Sequence, residues 1–455
     1  MFSKQPPSSP PLSFSAKAAR TEESPISSLM AMALHNPNLI SFAAGLVDAP
    51  TLPVEQCAAI TRRIFADRRR GQSALQYGTT LGLKPLRERL LSHLASLEGR
   101  PAAAFGITAD DIIVTTGSQQ TLYLIADVLV DPGDIVIAGN PSYFVFTGTL
   151  QSLGATVHSV PMDEDGMDVD TLERLLERLD DAGQLGRVKF VYCVSYYDNP
   201  TGQTLSQERR ERLVEVVKRF SRSHRILILE DAAYREMGYD TWILPSIKSF
   251  DPDNRYTILT QTFSKPFAPG LKLGYTAMPC DLMHAVLRQK GSHDFGSSNL
   301  CQEIVLEALR DGSYRTHLQV LRSQYRGKRD AVLSALEAHM PGGVGWTTPK
   351  GGMYVWLTFP RAIDTSARGA MFNRCIERGV LYVPGDYCFH PDESGQVPQN
   401  CLRLCFGQVS HDQIDTGIQH LGKVVGELLK TTPIVLGDSL GCCSLNPEPR
   451  TRSHE

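Results

Sequence analysis

Apolar positions in the middle of the chain follow two spacings. Short, nearly continuous apolar runs such as IVIAG and RILILED alternate with longer segments, such as TLERLLERL, that have apolar residues every three or four positions. Strands that alternate with long helices predict parallel βαβ units, and uniformly apolar strands predict helices on both sheet faces. The sequence therefore predicts an α/β fold with a mainly parallel central sheet sandwiched by helices.

The pattern changes after about residue 320. A long helical segment is followed by the short apolar runs GGMYVWLTF and CLRLCFG, which predict a smaller α+β domain. The predicted organisation is a flexible N-terminal lead at 1–20, an arm that joins the small domain at 21–70, a large ligand-binding domain at 71–320, a small C-terminal domain at 321–430, and a flexible tail at 431–455.

Composition narrows the classes of protein that the chain can belong to. It has 455 residues, a 42% hydrophobic and a 21% charged fraction, and a net charge of -3, which is typical of a soluble protein without a nucleic-acid or membrane partner. Its ten cysteines include no CxxC pair, so we expect no metal and a reducing, cytoplasmic location. The Pro- and Ser-rich start is unlike a secretory signal, although a transit peptide stays an alternative to a disordered lead.

Polar residues follow several predicted strands at the edge where ligands of such sheets bind. Gly117, Ser118 and Gln119 follow one strand and open a helix, an arrangement that suits a phosphate group. Asp231 ends another strand, and a buried carboxylate needs a cation or hydrogen bonds. Lys265 stands in a loop between two short strands within the apolar stretch 257–278. Each feature alone is also compatible with a helix cap, a turn or a surface loop.

Together with Asn199 in DNPTG, these residues are the parts that would hold a phosphorylated pyridine aldehyde. The lysine would form a Schiff base, and the acid would keep the ring nitrogen protonated.

The order of the motifs is that of a known family. ISFAAG, QYGTTLG, TTGSQQ, DNPTG, EDAAY, TFSKPFAPGLKLGY, KGGMYVW and LRLCF occur in this order between residues 40 and 406. The chain thereby resembles the fold-type I pyridoxal 5′-phosphate (PLP) aminotransferases of class I/II, notably the 2-aminoadipate and aromatic aminotransferases and the C-terminal domain of related transcription regulators.

The resemblance implies roles for individual residues. Lys265 would be the Schiff-base lysine and proton shuttle, Asp231 the partner of the ring nitrogen, and Tyr234 and Asn199 the partners of the phenolic oxygen. Tyr143 would stack on the ring. The remaining implied residues are Ser118, Gln119, Ser264 and Lys272 for the phosphate, Tyr77 for the phosphate in a neighbouring subunit, and Gly45, Asn199 and Arg403 for the substrate.

Two positions depart from the family. Lys272 replaces the usual arginine. Its charge should still bind the phosphate, but with lower cofactor affinity, because lysine lacks the two-pronged guanidinium. Asp198 replaces the usual glutamine before NPTG. If its carboxylate points inward it would disfavour acidic substrates, but it could equally face solvent.

The implied reaction is a ping-pong transfer of the amino group of an L-amino acid to a 2-oxo acid, with 2-oxoglutarate the expected acceptor and a homodimer with shared sites the expected assembly. Two alternatives stay open. One is another PLP enzyme of this fold, such as a C–S lyase, decarboxylase or biosynthetic cyclase, and the other is a non-catalytic regulatory domain. The second is disfavoured because no basic winged-helix segment precedes residue 40. The amino donor is left open.

Overall fold

The computed structural model describes residues 12–240, 243–391 and 394–431. The helices are α1 Ala16–Arg20, α2 Pro25–His35, α3 Val54–Ala66, α4 Arg68–Leu75, α5 Lys84–Glu98, α6 Gly117–Leu129, α7 Phe144–Leu153, α8 Val169–Asp181, α9 Gln207–Phe220, α10 Cys280–His293, α11 Asn299–Asp311, α12 Ser313–His339, α13 Ala370–Glu377 and α14 His411–Thr431. The strands are β1 Ile40–Ser41, β2 Ile112–Thr115, β3 Ile135–Asn140, β4 Thr156–Asp163, β5 Gly166–Met167, β6 Val188–Val194, β7 Leu227–Asp231, β8 Thr257–Thr262, β9 Gly274–Ala277, β10 Gly345–Trp346, β11 Tyr354–Thr358, β12 Val380–Leu381, β13 Val383–Pro384 and β14 Cys401–Cys405.

Helix α8 shows how the sequence dictates local structure. Its leucines recur at helical spacing, and Leu172, Leu176 and Leu179 are all buried. The carboxylate of Asp168 accepts hydrogen bonds from the backbone amides of Asp170 and Thr171, so the first turn has partners for donors that have none within the helix. The apolar stripe and the cap together fix where the helix begins and which face it buries.

The central sheet has eight strands in the order β2-β9-β8-β7-β6-β3-β4-β5. Strands β8, β7, β6, β3 and β4 pair in parallel, and β9 runs antiparallel between β2 and β8. The mainly parallel sheet confirms the predicted fold class. Because β2 consequently points the same way as β8, the carboxyl ends of β2, β8, β7, β6, β3 and β4 lie on one edge.

Both faces of this sheet are covered. Along β6, Phe190 and Tyr192 pack into one buried cluster, whereas Val191 and Cys193 pack into another that α8 and α9 share. Successive side chains of a strand point to opposite faces, so a strand that is buried on both sides must be apolar throughout. This is the physical reason for the continuous apolar runs in the sequence.

A second, antiparallel sheet has the order β10-β11-β14-β13, and the long helices α12 and α14 of the same region pack against each other. The N-terminal strand β1 pairs in parallel with β12, and the amide of Cys405 donates to the carbonyl of Phe42. The segment before residue 70 thereby contacts the C-terminal part of the chain, although the domain boundaries stay a prediction. No helix in these described ranges is long and apolar enough to cross a bilayer.

The last residues of the predicted lead at 1–20 have regular structure. Ala16–Arg20 form α1, capped by Ser15. The amine of Lys17 donates to the hydroxyl of Tyr123 and to Asp127 on α6, and Arg20 donates to the carbonyl of Ser152 on α7. These contacts are polar and join distant segments, so the pattern of apolar residues in the sequence does not predict them. Residues 1–11 and the tail from 432 lie outside the described residues.

Candidate active site

The polar residues that follow the strands meet at the carboxyl edge of the central sheet. Gly117 follows β2, Asn199 follows β6, Asp231 ends β7, and Lys265 follows β8 after a short turn. The small sheet contributes Arg403 from β14. Residues that are far apart in sequence therefore surround one cleft.

Lys265 lies at the centre of this cleft. Its Nζ donates to the carbonyl of Gly45 over 2.5 Å. Burial lowers the pKa of its amine, the thiol of Cys405 opposes this shift, and the positive charges of Arg403 and Lys272 lower the pKa further. A lysine with a lowered pKa is neutral more of the time at neutral pH, which nucleophilic attack and proton abstraction both require.

Asp231 is almost completely buried at the end of β7. Its Oδ2 accepts from the hydroxyl of Tyr192 over 3.3 Å, and its Oδ1 accepts from the amide of Ala233 over 3.2 Å. Burial raises the pKa of this carboxyl to about 6 despite these two hydrogen bonds. Both partners are neutral, so a cation bound beside Asp231 would stabilise its charged form.

Arg403 is buried and held in a fixed orientation. Its Nη1 donates to Oδ1 of Asn199 over 2.8 Å, and its Nη2 donates to the carbonyl of Ala43 over 2.6 Å. The guanidinium lies over the ring of Tyr354, 4.6 Å from its centroid, while Nε lacks a partner among the described residues. A buried, rigid guanidinium with an unused donor suits the binding of a carboxylate.

The two tyrosines predicted to contact the cofactor, Tyr143 and Tyr234, line the same cleft. The hydroxyl of Tyr234 lies 3.0 Å from that of Tyr354, and the hydroxyl of Tyr143 donates to Oε1 of Gln119 over 3.3 Å. Burial raises the pKa of both Tyr143 and Tyr234, so both hydroxyls keep their protons at neutral pH and can donate hydrogen bonds.

The start of α6 and the loop after β8 form a candidate anion site. Gly117 has a φ of +72°, and a Cβ at this position would lie 3.9 Å from Oγ of Ser264. Gly274 lets the backbones approach, because a Cβ there would lie 2.9 Å from the amide nitrogen of Ser118. The hydroxyl of Thr262 donates to Ser264 and fixes its position. Helix amides and hydroxyls gathered in this way bind phosphate.

Lys272 ends a short turn in the left-handed conformation, with a φ of +50°, and its side chain is exposed. Its charge contributes to the lowered pKa of Lys265, so the two amines are close enough to interact.

Tyr77 lies away from these residues, on the surface. Its side chain is 84% exposed and packs edge-on against Phe295, with ring centroids 5.7 Å apart. Its role toward a partner subunit stays a prediction.

Asp198 points into the protein rather than to solvent. It is buried, and its Oδ2 accepts from the amide and the hydroxyl of Thr201. Burial raises the pKa of this carboxyl to about 7. Through its hydrogen bonds to Thr201, the side chain of Asp198 stabilises the turn that contains Asn199.

Two tyrosines of the cleft were missed in the sequence. Tyr192 looks like an ordinary strand residue, and Tyr354 lies in KGGMYVW, a motif that carries the family resemblance but predicts no role for this side chain. A tyrosine within an apolar run is a usable signal, because a buried hydroxyl needs a hydrogen-bond partner.

Comparison with known proteins identifies the chain. A family model described as aminotransferase class I and II matches residues 37–421. The aromatic-amino-acid aminotransferase 1 of Thermococcus litoralis is 35% identical over 418 residues, which are 92% of this chain and 95% of that protein. The crystal structure of a multiple substrate aminotransferase from Thermococcus profundus has a TM-score of 0.83 and 34% identity, covering 92% of this chain and 98% of the other.

The α-aminoadipate aminotransferase LysN of Thermus thermophilus, solved with N-(5′-phosphopyridoxyl)-L-leucine, has a TM-score of 0.79 and 30% identity over 92% of this chain and 98% of the other. The chain belongs to the aminotransferase class I and II family. It is a PLP-dependent aminotransferase with the fold-type I architecture, which confirms the predicted fold, cofactor and class of reaction. The cleft fits this cofactor, because the buried carboxylate of Asp231 has only neutral hydrogen-bond partners among the described residues and the start of α6 can bind an anion.

Proposed function

We propose that this chain transfers the amino group of an aromatic or aliphatic L-amino acid to a 2-oxo acid in a ping-pong cycle, with Lys265 as the residue that holds the cofactor and moves the proton. The observation that carries the proposal is the Lys265 amine, which lies against the Gly45 carbonyl with a pKa lowered by burial and by neighbouring cations. Bound PLP supplies an electron sink that makes the α-proton of an amino acid acidic.

Four residues would hold the pyridine ring. Asp231 would keep the ring nitrogen protonated, Tyr143 would cover one face, and Asn199 and Tyr234 would donate to the phenolic oxygen. The amide of Asn199 would use its nitrogen for this, since its oxygen already accepts from Arg403. The proton on the ring nitrogen would replace the missing cationic partner of Asp231.

The phosphate would lie at the start of α6. Backbone amides there would donate to it, and the proposed side-chain partners are Ser118, Gln119, Ser264, Lys272 and Tyr77 of the partner subunit. The last assignment requires a homodimer with shared sites, and two-fold dimers are the commonest assemblies. The exposed pair of Tyr77 and Phe295 supports it.

Replacing Lys272 by arginine is expected to tighten cofactor binding about three- to tenfold, because guanidinium can donate two parallel hydrogen bonds to a phosphate. Lys272→Met should weaken binding by a similar factor. Both effects are measured by titrating the cofactor-free protein with PLP. Unchanged affinity in Lys272→Met would contradict the assignment.

The substrate would be bound by its α-carboxylate. Arg403 is pre-oriented by Asn199 and Ala43, and its Nε, without a partner in the described part of the chain, is available. Gly45 has no side chain, so the Cα of the substrate could approach the backbone there and reach Lys265. The freed amine of Lys265 would then move the proton from Cα, because its lowered pKa favours the neutral form that can accept a proton.

The composition of the segment around Gly45 supports a preference for substrates with uncharged side chains. Residues 21–61 contain no lysine or arginine, and the neighbouring Leu46 is 43% exposed. A carboxylate on the substrate side chain that packs against this segment would lose water without gaining a cation from it. Some relatives carry names that point to aromatic, 2-aminoadipate or kynurenine substrates, so the class of donor has to be measured.

The test is a panel of amino donors with 2-oxoglutarate as the first acceptor. Aromatic and aliphatic donors are expected to react with a kcat/KM at least about tenfold above that of 2-aminoadipate, because an unpaired charge in a closed site costs more than about 1 kcal/mol. Formation of 2-oxo acid and of glutamate is followed together. A higher kcat/KM for 2-aminoadipate would refute the donor class, and release of carbon dioxide or thiol without an acceptor would refute transamination.

A further inference from the structure

Tyr354 contacts both the residues proposed to bind the cofactor and the residue proposed to bind the substrate. It begins β11 of the small sheet, whereas Tyr234 and Lys265 belong to the loops of the large sheet. Its ring lies under the guanidinium of Arg403, and its hydroxyl reaches that of Tyr234. A Cβ at Gly45 would lie 2.9 Å from this hydroxyl and 3.8 Å from Nζ of Lys265. The hydroxyl of Tyr354 and the amine of Lys265 therefore both lie close to Gly45.

The two tyrosine rings are arranged edge to face. Their centroids are 5.5 Å apart, the interplanar angle is 81°, and the two hydroxyl oxygens are 3.0 Å apart. A hydroxyl has one proton to donate and two lone pairs to accept with. When one tyrosine donates to the other, the acceptor keeps its own proton for a third group. The direction of this hydrogen bond decides which tyrosine can donate to the cofactor.

The surroundings favour Tyr354 as the donor. Burial raises the pKa of Tyr354 to about 12, Arg403 and the hydrogen bond with Tyr234 act in the opposite direction, and Cys405 and Asp198 raise the pKa. For Tyr234, burial and the neighbouring tyrosines both raise the pKa, and the effect of Arg403 comes last. The guanidinium of Arg403 lies over the ring of Tyr354, 4.6 Å from its centroid, and a cation there draws electron density from the hydroxyl and favours Tyr354 as the donor.

We propose that Tyr354 is a positioning residue for both halves of the site. Its hydroxyl donates to Tyr234, which leaves the Tyr234 proton for the phenolic oxygen of the cofactor, and its ring supports the guanidinium of Arg403. This rests on the proposed function, because both effects require that Tyr234 contacts the cofactor and that Arg403 binds the substrate carboxylate. A hydrogen bond received by Tyr234 strengthens the one that Tyr234 donates.

Two substitutions separate the two halves of the proposal. Tyr354→Phe keeps the ring and removes the hydroxyl, whereas Tyr354→Leu removes both. The first readout is the pH dependence of the visible absorption of the bound cofactor, which does not depend on turnover. Tyr354→Phe should raise the pKa read from this absorption by about half a unit, roughly a threefold change in the equilibrium, because a weaker hydrogen bond from Tyr234 stabilises the phenolate less.

Steady-state kinetics give the second readout. In Tyr354→Phe we expect kcat to fall about three- to tenfold with KM within about twofold of wild type. In Tyr354→Leu we expect the same spectral shift and also a KM at least about fivefold higher, because Arg403 loses the ring that it lies on. Tyr382→Phe is the matched control, since Tyr382 is a buried tyrosine whose hydroxyl donates to the carbonyl of Thr365 away from the cleft. It should change neither readout.

The outcomes are distinguishable. Superimposable titrations of wild type and Tyr354→Phe, or an equal shift in Tyr382→Phe, would overturn the inference alone. The absorption band of a lysine-bound cofactor, if it survives in Lys265→Ala, would overturn the proposed function, and the inference with it. If Tyr354→Leu folds poorly, Tyr354→Phe still decides the hydrogen-bond half through the absorption titration.

Discussion

Lys265→Ala is expected to lower turnover by at least about a thousandfold and to remove the visible absorption of a lysine-bound cofactor. The amine is the group that would bind the cofactor covalently and carry the proton, and removing a covalent catalytic group costs several orders of magnitude in rate. Absorption spectra of the protein purified with PLP and donor-dependent formation of 2-oxo acid measure the two effects.

The control for this variant is Lys423→Ala, because Lys423 is exposed on α14 and its amine donates only to Gln419 among the contacts described. It should retain full turnover and absorption. The alanine variant should still bind PLP noncovalently, since Asp231 and the start of α6 remain. Turnover within about tenfold of wild type in Lys265→Ala would refute the role of this lysine.

Asp231→Asn is expected to lower turnover at least about a thousandfold and to weaken cofactor binding, while stabilising the cofactor-free protein. The loss of turnover follows because asparagine cannot keep the ring nitrogen protonated, so the electron sink is lost. The gain in stability follows from the pKa of about 6 that burial gives this carboxyl, against an ordinary value of 3.8.

The sign of the stability effect follows from proton uptake. Between about pH 4 and 6 the folded protein holds a proton on Asp231 that the unfolded chain has lost, so the free energy of unfolding falls as pH rises through this range. A shift of about two units corresponds to at most about 3 kcal/mol, which is lost above about pH 6. Asparagine does not ionise, so the variant should be the more stable cofactor-free protein at pH 8.

Urea unfolding of the cofactor-free protein at pH 5 and pH 8 measures this difference. Asp198, whose pKa is raised to about 7, titrates in the same direction and remains in the variant, so the comparison must be between wild type and Asp231→Asn at each pH. Asp253→Asn, at an exposed position, is the matched control and should change neither stability nor turnover. A variant less stable than wild type at pH 8 would contradict the burial cost.

Much of the site could be predicted because its residues follow strands. An apolar run predicts a buried strand, and the carboxyl ends of parallel strands share one edge of the sheet. The sequence alone therefore predicts that Asp231, Asn199 and Lys265 lie close together. The position of Tyr354 could not. It lies on the other sheet, and its contact with Tyr234 depends on how the two sheets pack. The same holds for α1, whose polar contacts with α6 and α7 leave no periodic signal.

The sequence by itself determined the α/β fold, the family and the identity of the cofactor, because local hydrophobic periodicity and the order of short motifs are properties of the chain alone. Only the tertiary structure decided that Asp198 closes a turn, that Asn199 and Ala43 hold Arg403, and that Tyr354 joins Tyr234 to Arg403. The direction of the pKa shifts also came from the structure, because desolvation depends on what surrounds a group and not on its neighbours in sequence. The sequence gives the functional group of each residue, whereas the packing around the residue sets its protonation and its orientation.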